Sequence, residues 1–218
     1  MVDKEFCDRV SSASLGGYEV KYNTWELCEK AIKEGIEGDF AEAGTYKGSH
    51  PMIMAKVASI LDPSRKTHLY DSFDGVPKVR EERDEKEINA YGKSETGKLE
   101  SSGVAYASVE HTKNAFLANK APLEKCVFHV GWFQDVLPNE HIPKLAVLRL
   151  DTDLLESNEI CMRYLYPKLE LGGYFITDDY SDEIWEKEYV RLIEELGYNQ
   201  PEVFRVKGQE TTAWWKKK

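Results

Sequence analysis

Residues 145–157 read LAVLRLDTDLLES, and residues 173–180 read GYFITDDY. In each, a strand-forming apolar run stops at paired acids: Leu145 to Leu150 meets Asp151 and Asp153, and Gly173 to Thr177 meets Asp178 and Asp179. Further out, the pattern recurs at Asp39-Phe40-Ala41 before Glu42 and at Thr67 to Tyr70 before Asp71, while Cys126 to Val130 ends at Gly131. Longer helical patterns separate these runs. Strands alternating with helices predict βαβ units and a mostly parallel sheet covered on both faces. Such sheets bind ligands beyond the carboxyl ends of their strands, where these acids would stand.

The helices are punctuated by recognisable signals. Asn23 and Glu26 stand in capping-box spacing before Leu27, Ala31 and Ile32, with Gly35 as a C-terminal cap. Ser49 is placed to cap a helix running through Met52, Ile53, Val57 and Ile60 until Asp62-Pro63 stops it. Ser181 opens another, with the apolar stripe Ile184, Trp185, Tyr189, Leu192, Ile193 and Leu196. Glu202–Val206 and Thr211–Trp215 flank Lys207-Gly208 and read as a hairpin. The expected organisation is one domain over 1–218, with residues 1–36 as an N-terminal helical cap. Only Pro77 to Ser102 resists, being mixed in charge and poor in apolar residues. The stretch 77–104 is expected to be either a mobile lid or a passive solvated loop.

Composition narrows the function. With 29 Lys+Arg against 39 Asp+Glu in 218 residues, the formal charge is −10, which argues against nucleic acid or an anionic membrane as partner. The four cysteines form no CxxC pair and read as reduced core thiols. No stretch approaches the length of a membrane span, and the N-terminus carries no secretory h-region, so a cytoplasmic location is expected. Of the five histidines, His68 and His129 fall in strands and read as structural, whereas His50, His111 and His141 default to exposed polar positions.

Four motifs carry candidate chemistry. Glu42-Ala-Gly44-Thr45-Tyr46-Lys-Gly48-Ser49 joins a strand to a helix, where glycines let the backbone approach a ligand or merely turn tightly. It is neither GxGxxG nor a P-loop, so a pyrophosphate cradle is not indicated. Asp71 is placed to accept both ribose hydroxyls of an adenosine-containing ligand, or to cap the turn Ser72-Phe73-Asp74-Gly75. In Gly131-Trp132-Phe133-Gln134 the aromatics could sandwich a purine while Gln134 reads its edge, or pack beneath the sheet. The acids Asp151, Asp153, Asp178 and Asp179 would repel in one crevice unless neutralised. Oxygen ligands without His or Cys favour Mg²⁺, Mn²⁺ or Ca²⁺ over zinc, the alternative being solvated turn caps.

In order and spacing, GDFAEAGTYKGSH, HLYDSFDGVP, VGWFQDVLP, LAVLRLDTDLLES, YPKLELGGYFITDDY and TAWWKKK resemble the macrocin O-methyltransferase family. The resemblance implies a class I methyltransferase Rossmann-like fold, with a mostly parallel seven-stranded sheet, a C-terminal antiparallel hairpin and helices on both faces. It implies S-adenosylmethionine as cofactor and Mg²⁺-assisted methylation of a sugar hydroxyl. Glu42, Gly44 and Gly48 would line the methionine side, with Thr45, Tyr46, Ser49 and Ser72 beside them. Asp71 would hold the ribose, and Gly131, Trp132, Phe133 and Gln134 would border the adenine. Asp151, Asp178 and Asp179 match the metal ligands, and Asp151 the general base.

Tyr46, Asp153 and Tyr180 are candidates for contact with the acceptor, a small molecule or glycan. The pattern departs from the family at Thr152, usually Gly, and at Leu155, usually Tyr, next to the expected acceptor pocket. A homo-oligomer is compatible with this reading. The alternatives are a catechol or phenol O-methyltransferase of the same fold, and a metal-dependent hydrolase or non-catalytic nucleotide-binding domain.

Overall fold

Each apolar run becomes a strand in the computed structural model, which describes residues 2–11 and 17–218. The strands are β1 (Asp39–Ala43), β2 (Thr67–Asp71), β3 (Cys126–Val130), β4 (Leu145–Leu150), β5 (Leu169–Thr177), β6 (Phe204–Val206) and β7 (Gln209–Lys216). They form one sheet in the order β3-β2-β1-β4-β5-β7-β6. Strands β1 to β5 pair in parallel, while β7 runs antiparallel to both β5 and β6. The expected hairpin therefore closes the sheet, turning at Lys207-Gly208.

Helices α1 (Lys4–Val10), α2 (Tyr18–Lys33), α3 (Ser49–Leu61), α4 (Ile88–Tyr91), α5 (Val109–Ala118), α6 (Phe133–Val136), α7 (Leu155–Leu165) and α8 (Glu183–Glu195) fill the connections. Successive strand side chains point to opposite faces, so the core divides in two. On one face Phe6, Trp25, Leu27, Ile53 and Phe116 pack on Phe40, Leu69, Val147 and Ile176. On the other Met162, Leu165, Trp185, Tyr189 and Leu192 pack on Ala41, Leu148, Phe175 and Trp215. Each buried Leu, Ile, Val, Phe or Met side chain among them contributes about 1.5–3 kcal/mol relative to exposure.

Several boundaries differ from the sequence reading. Helix α2 starts at Gly17-Tyr18 rather than at Asn23, so the Asn23/Glu26 spacing lies inside a helix and caps nothing. Its far end is as expected: Gly35 N and Ile36 N bond back to Ile32 O and Ala31 O. Of the expected 1–36 helical region, residues 1 and 12–16 lie outside the described residues. Asp182, not Ser181, caps α8, accepting from Ile184 N and Trp185 N. Cys7, Cys28 and Cys161 are buried free thiols and Cys126 is half-buried.

His68 and His129 are structural, as read. Their rings hydrogen-bond at 2.9 Å, and the outer nitrogens reach Asp39 and Glu140. Among the described residues no helix is long and apolar enough to cross a membrane.

The 77–104 stretch folds against α7. A 3-10 turn at Glu82–Glu87 leads into α4, and isolated bridges join Pro77 to Ser101 and Val79 to Lys93. Asp84, 1% exposed, accepts from Leu155 N and Glu156 N and so caps α7 from outside its own sequence. Arg80 pairs with Glu156, and Arg83 with Glu159 and Glu188.

Candidate functional site

Strand order reverses between β1 and β4, and there the carboxyl ends of β1, β2, β4 and β5 enclose a cavity of about 250 Å³. The cavity gathers most of the sequence candidates: Glu42, Gly44, Thr45, Tyr46 and Ser49 from the first motif, Asp71 and Ser72 from the second, Trp132, Phe133 and Gln134 from the third, and Asp151, Asp153 and Asp178 from the acids.

The turn after β1 shows why glycine stands at 44. Its φ is +80°, and a Cβ there would lie 1.7 Å from the carbonyl oxygen of Asp151. Only a residue without a side chain lets β1 and β4 approach so closely. Thr45 N and Tyr46 N donate to Asp71 Oδ2 at 2.6 and 3.1 Å, and Phe73 N donates to Oδ1 at 2.7 Å. Asp71 thus staples two loops together and caps its own turn, as one reading expected, while also facing the cavity. Burial raises its pKa, and these backbone donors oppose the rise.

Helix α3 begins differently from expectation. Gly48, with φ of +84°, is the N-cap; its Cβ position abuts Phe116, and it forms no part of the cavity wall. Ser49 is the first helical residue, and its buried Oγ has no hydrogen-bond partner among the described residues. His50, read as exposed, is 4% exposed and lines the cavity. Its Nδ1 lies 2.9 Å from Thr24 Oγ1, whose single proton is donated to Val20 O. Burial, with Arg149 and Lys21 nearby, pushes the His50 pKa well below its ordinary value. The distant helix α2 covers this position, which no local pattern reveals.

On the other side Trp132 is the N-cap of α6, and with Phe133 and Gln134 it is half-buried at the cavity wall, Phe133 also packing against the core that holds Met162 and Leu165. Gly131, φ +140°, turns against Val136 and does not line the cavity.

The acids fall into two groups. Asp151, Asp153 and Asp179 each bring one carboxylate oxygen within 4.8 Å of the others, so the three could hold one divalent cation between them. Asp179 Oδ2 also accepts from Thr152 N at 2.9 Å and from Asp153 N at 3.3 Å, which fixes the turn after β4. Asp178 is not in the converging set, although the resemblance implied it. Its Oδ1 accepts from Arg149 Nη2 at 2.9 Å and from Thr212 Oγ1 at 2.8 Å. The third converging acid is Asp153, a left-handed residue with φ of +61° held by the Tyr91 hydroxyl at 3.0 Å.

Beneath the acids lies Arg149, 1% exposed, which the motif reading passed over as one strand residue among others. Its guanidinium bonds Glu42 at 2.7 Å, Asp151 at 2.9 Å and Asp178 at 2.9 Å. Burial opposes its charge, and the three carboxylates raise its pKa above the ordinary value. Even so, burial pushes Glu42 up to about 8 and Asp151 up to about 7. Burial also raises Asp153, and Asp179 well above the usual range, with neighbouring acids adding to both. Oxygen donors alone, several of them inclined to keep protons for want of positive charge, fit a hard divalent cation.

Tyr180 is not at the cavity. It stacks on Tyr189, with Arg205 over its ring, in the core under α8. The opposite cavity wall comes from the 77–104 region, including Pro77, Arg80, Tyr91 and Leu99.

Comparison with known proteins identifies relatives of this chain. A family model described as macrocin O-methyltransferase (TylF) matches residues 12–216. Demethyldecarbamoylnovobiocin O-methyltransferase of Streptomyces niveus is 33% identical over 159 residues, which cover 72% of this chain and 58% of that protein. A 4′-O-methyltransferase of Streptomyces olivaceus, acting on 8-demethyl-8-(2,3-dimethoxy-alpha-L-rhamnosyl)-tetracenomycin-C, is 31% identical over 70% of this chain and 57% of its own. The alignment with each relative thus spans less than two thirds of that relative's length. Among solved structures, the O-methyltransferase NovP superposes with a TM-score of 0.80 at 28% identity, covering 94% of this chain and 81% of that one.

Proposed function

The chain belongs to the macrocin O-methyltransferase family, and from that premise we propose that it methylates a hydroxyl of a deoxysugar, such as a rhamnose-type residue of a glycan or glycosylated natural product. The methyl donor is S-adenosylmethionine, and a divalent cation, Mg²⁺, assists. One observation carries the reading. A single cavity joins the glycine turn, Asp71, the Trp132-Phe133-Gln134 wall and three convergent carboxylates. The tetracenomycin relative acts on a rhamnosyl-bearing small molecule, which supports a sugar acceptor.

The residues divide the work. The Gly44 turn admits the cofactor close to the backbone, Asp71 offers its remaining lone pairs to ribose hydroxyls, and Trp132 and Phe133 enclose the purine. S-adenosylmethionine supplies a methyl already attached to a good leaving group. Asp151, Asp179 and Asp153 would hold the cation, which when bound would supply Lewis acidity toward a sugar hydroxyl. Asp151 accepts the proton of that hydroxyl, and the wall formed by Tyr91, Leu99 and Pro77 orients the acceptor and excludes water. The 77–104 stretch, anchored through Asp84 and Arg83 on α7, serves as the acceptor-side lid.

The test is a gain of one methyl mass on rhamnose- or fucose-bearing glycosides incubated with S-adenosylmethionine, with Mg²⁺ or EDTA. Asp151→Asn is expected to abolish transfer while retaining cofactor binding. Methylation of a catechol but of no glycoside would move the acceptor to phenols. Turnover without S-adenosylmethionine would overturn the reading.

A further inference from the structure

The three converging acids are not held alike. Asp151 accepts from Arg149 Nη1 at 2.9 Å, and Asp179 accepts from Thr152 N at 2.9 Å and from Asp153 N at 3.3 Å, so both are fixed by the sheet and by the turn after β4. Asp153 is different. Among the described residues, the only hydrogen-bond donor to its carboxylate is the Tyr91 hydroxyl, at 3.0 Å, and Tyr91 belongs to the lid. The torsion that turns a carboxylate about its last bond is broad, so this donor decides which way the Asp153 oxygens face. The Asp153 backbone is also left-handed, at φ of +61°, a conformation that a residue with a side chain keeps only where its surroundings impose it. The lid supplies much of those surroundings. Leu154, 1% exposed, clusters with Val76 and Val79, and Ile88, Tyr91 and Ala105 pack against that cluster. Asp84 then accepts from Leu155 N and Glu156 N, so four consecutive residues from Asp153 onward each meet the lid. Tyr91 is braced in turn, because Val79 N donates to Gly92 O and Ser94 N to Val79 O, each at 2.9 Å.

A carboxylate has about four acceptor sites and Tyr91 uses one, so the hydroxyl leaves room for a cation rather than displacing it. Cation and lid therefore favour one and the same geometry of the turn. We propose that Tyr91 is a positioning residue of the cation site, which holds Asp153 in the converging set from the lid and so makes cation binding and closure of the 77–104 stretch favour each other. This assignment rests on the divalent-cation reading and extends it from the sheet to the lid. By linkage, the factor by which a closed lid tightens the cation is the factor by which the cation tightens the lid. The stretch that walls the acceptor side of the cavity is thus closed most firmly when the cation is in place.

The test uses Mg²⁺ alone as the probe, with its affinity read by calorimetry and lid closure read by tryptic cleavage between residues 77 and 104. In the wild type, saturating Mg²⁺ should slow that cleavage at least about fivefold. Tyr91→Phe keeps the ring against its apolar cluster and loses only the hydroxyl; it should bind Mg²⁺ about tenfold more weakly and lose most of the protection. Arg83→Met loosens the lid at a distance, since the partners of Arg83 are Glu81, Glu159 and Glu188 rather than the converging acids, and it should also weaken Mg²⁺ severalfold. Melting curves and S-adenosylhomocysteine affinity report that each variant is folded. Wild-type Mg²⁺ affinity in folded Tyr91→Phe or in folded Arg83→Met, or wild-type cleavage that Mg²⁺ leaves unchanged, overturns the coupling. A wild-type protein that binds no Mg²⁺ overturns the cation reading itself.

Discussion

Gly44→Ala is the perturbation whose consequences the geometry sets most directly. At φ of +80° an alanine costs about 1–2 kcal/mol from backbone strain alone. The added Cβ would also stand 1.7 Å from Asp151 O, so the ends of β1 and β4 must part by roughly 1.5 Å to reach an ordinary C···O contact. That parting breaks the bond from Asp151 N to Ala43 O and strains the one from Asp178 N to Leu150 O, each worth about 1 kcal/mol. The total is about 3 kcal/mol, or a fall in melting temperature of about 6–12 °C for a chain of this size.

Gly35→Ala is the control, because it shares the left-handed φ, at +70°, but meets nothing within 4 Å. It should lose only about 1–2 kcal/mol. Asp151 moves with the strand end, and a displacement of about 1 Å at a reacting group can cost about 100-fold in rate. Scanning calorimetry, S-adenosylhomocysteine titration and methyl transfer read the three effects. If Gly44→Ala melts with Gly35→Ala and keeps wild-type cofactor affinity and rate, the close approach of β1 and β4 does not shape the site.

Four other outcomes follow from the site and from the stretch that covers it. Asp153→Asn should weaken Mg²⁺ at least tenfold by calorimetry and Asp178→Asn should weaken it less, since Asp178 is engaged by Arg149 and Thr212; the reverse order would restore the ligand set implied by resemblance. Because burial pushes Asp151 up to about 7 and raises Asp179 well above its ordinary value, and both must ionise to hold a cation, Mg²⁺ binding should release protons at pH 6 and fewer as pH rises, as titrations in two buffers of different ionisation enthalpy would reveal. By the same linkage Glu42 and Asp151 hold protons more tightly in the metal-free fold than in the unfolded chain, so their contribution to stability should fall as pH rises from about 4 to about 8, and replacing Glu42 by Gln should flatten that part of the profile. Asp84→Ala removes the cap that the 77–104 stretch supplies to α7, and should cost about 1–2 kcal/mol and speed proteolysis between residues 77 and 104; unchanged melting and cleavage would refute that anchoring.

The strands, their parallel pairing and the closing hairpin were legible in the chain, because apolar period and turn residues are local signals that burial on both faces enforces. The acid at the end of β2, the glycine turn and the aromatic wall were legible for the same reason: each follows a strand end, and a parallel sheet brings strand ends together. What sequence could not decide was the partner of each side chain. Asp151, Asp153, Asp178 and Asp179 look alike in the chain, and only the placement of Arg149 on β4 and of Thr212 on β7 engages Asp178, while Asp153 converges with Asp151 and Asp179. Likewise His50 became a buried cavity residue through Thr24, 26 positions away, and Asp84 became a helix cap across 71 positions. Local pattern specifies where the backbone turns, whereas charge and hydrogen-bond pairing depend on contacts between elements that exist only once the chain has folded.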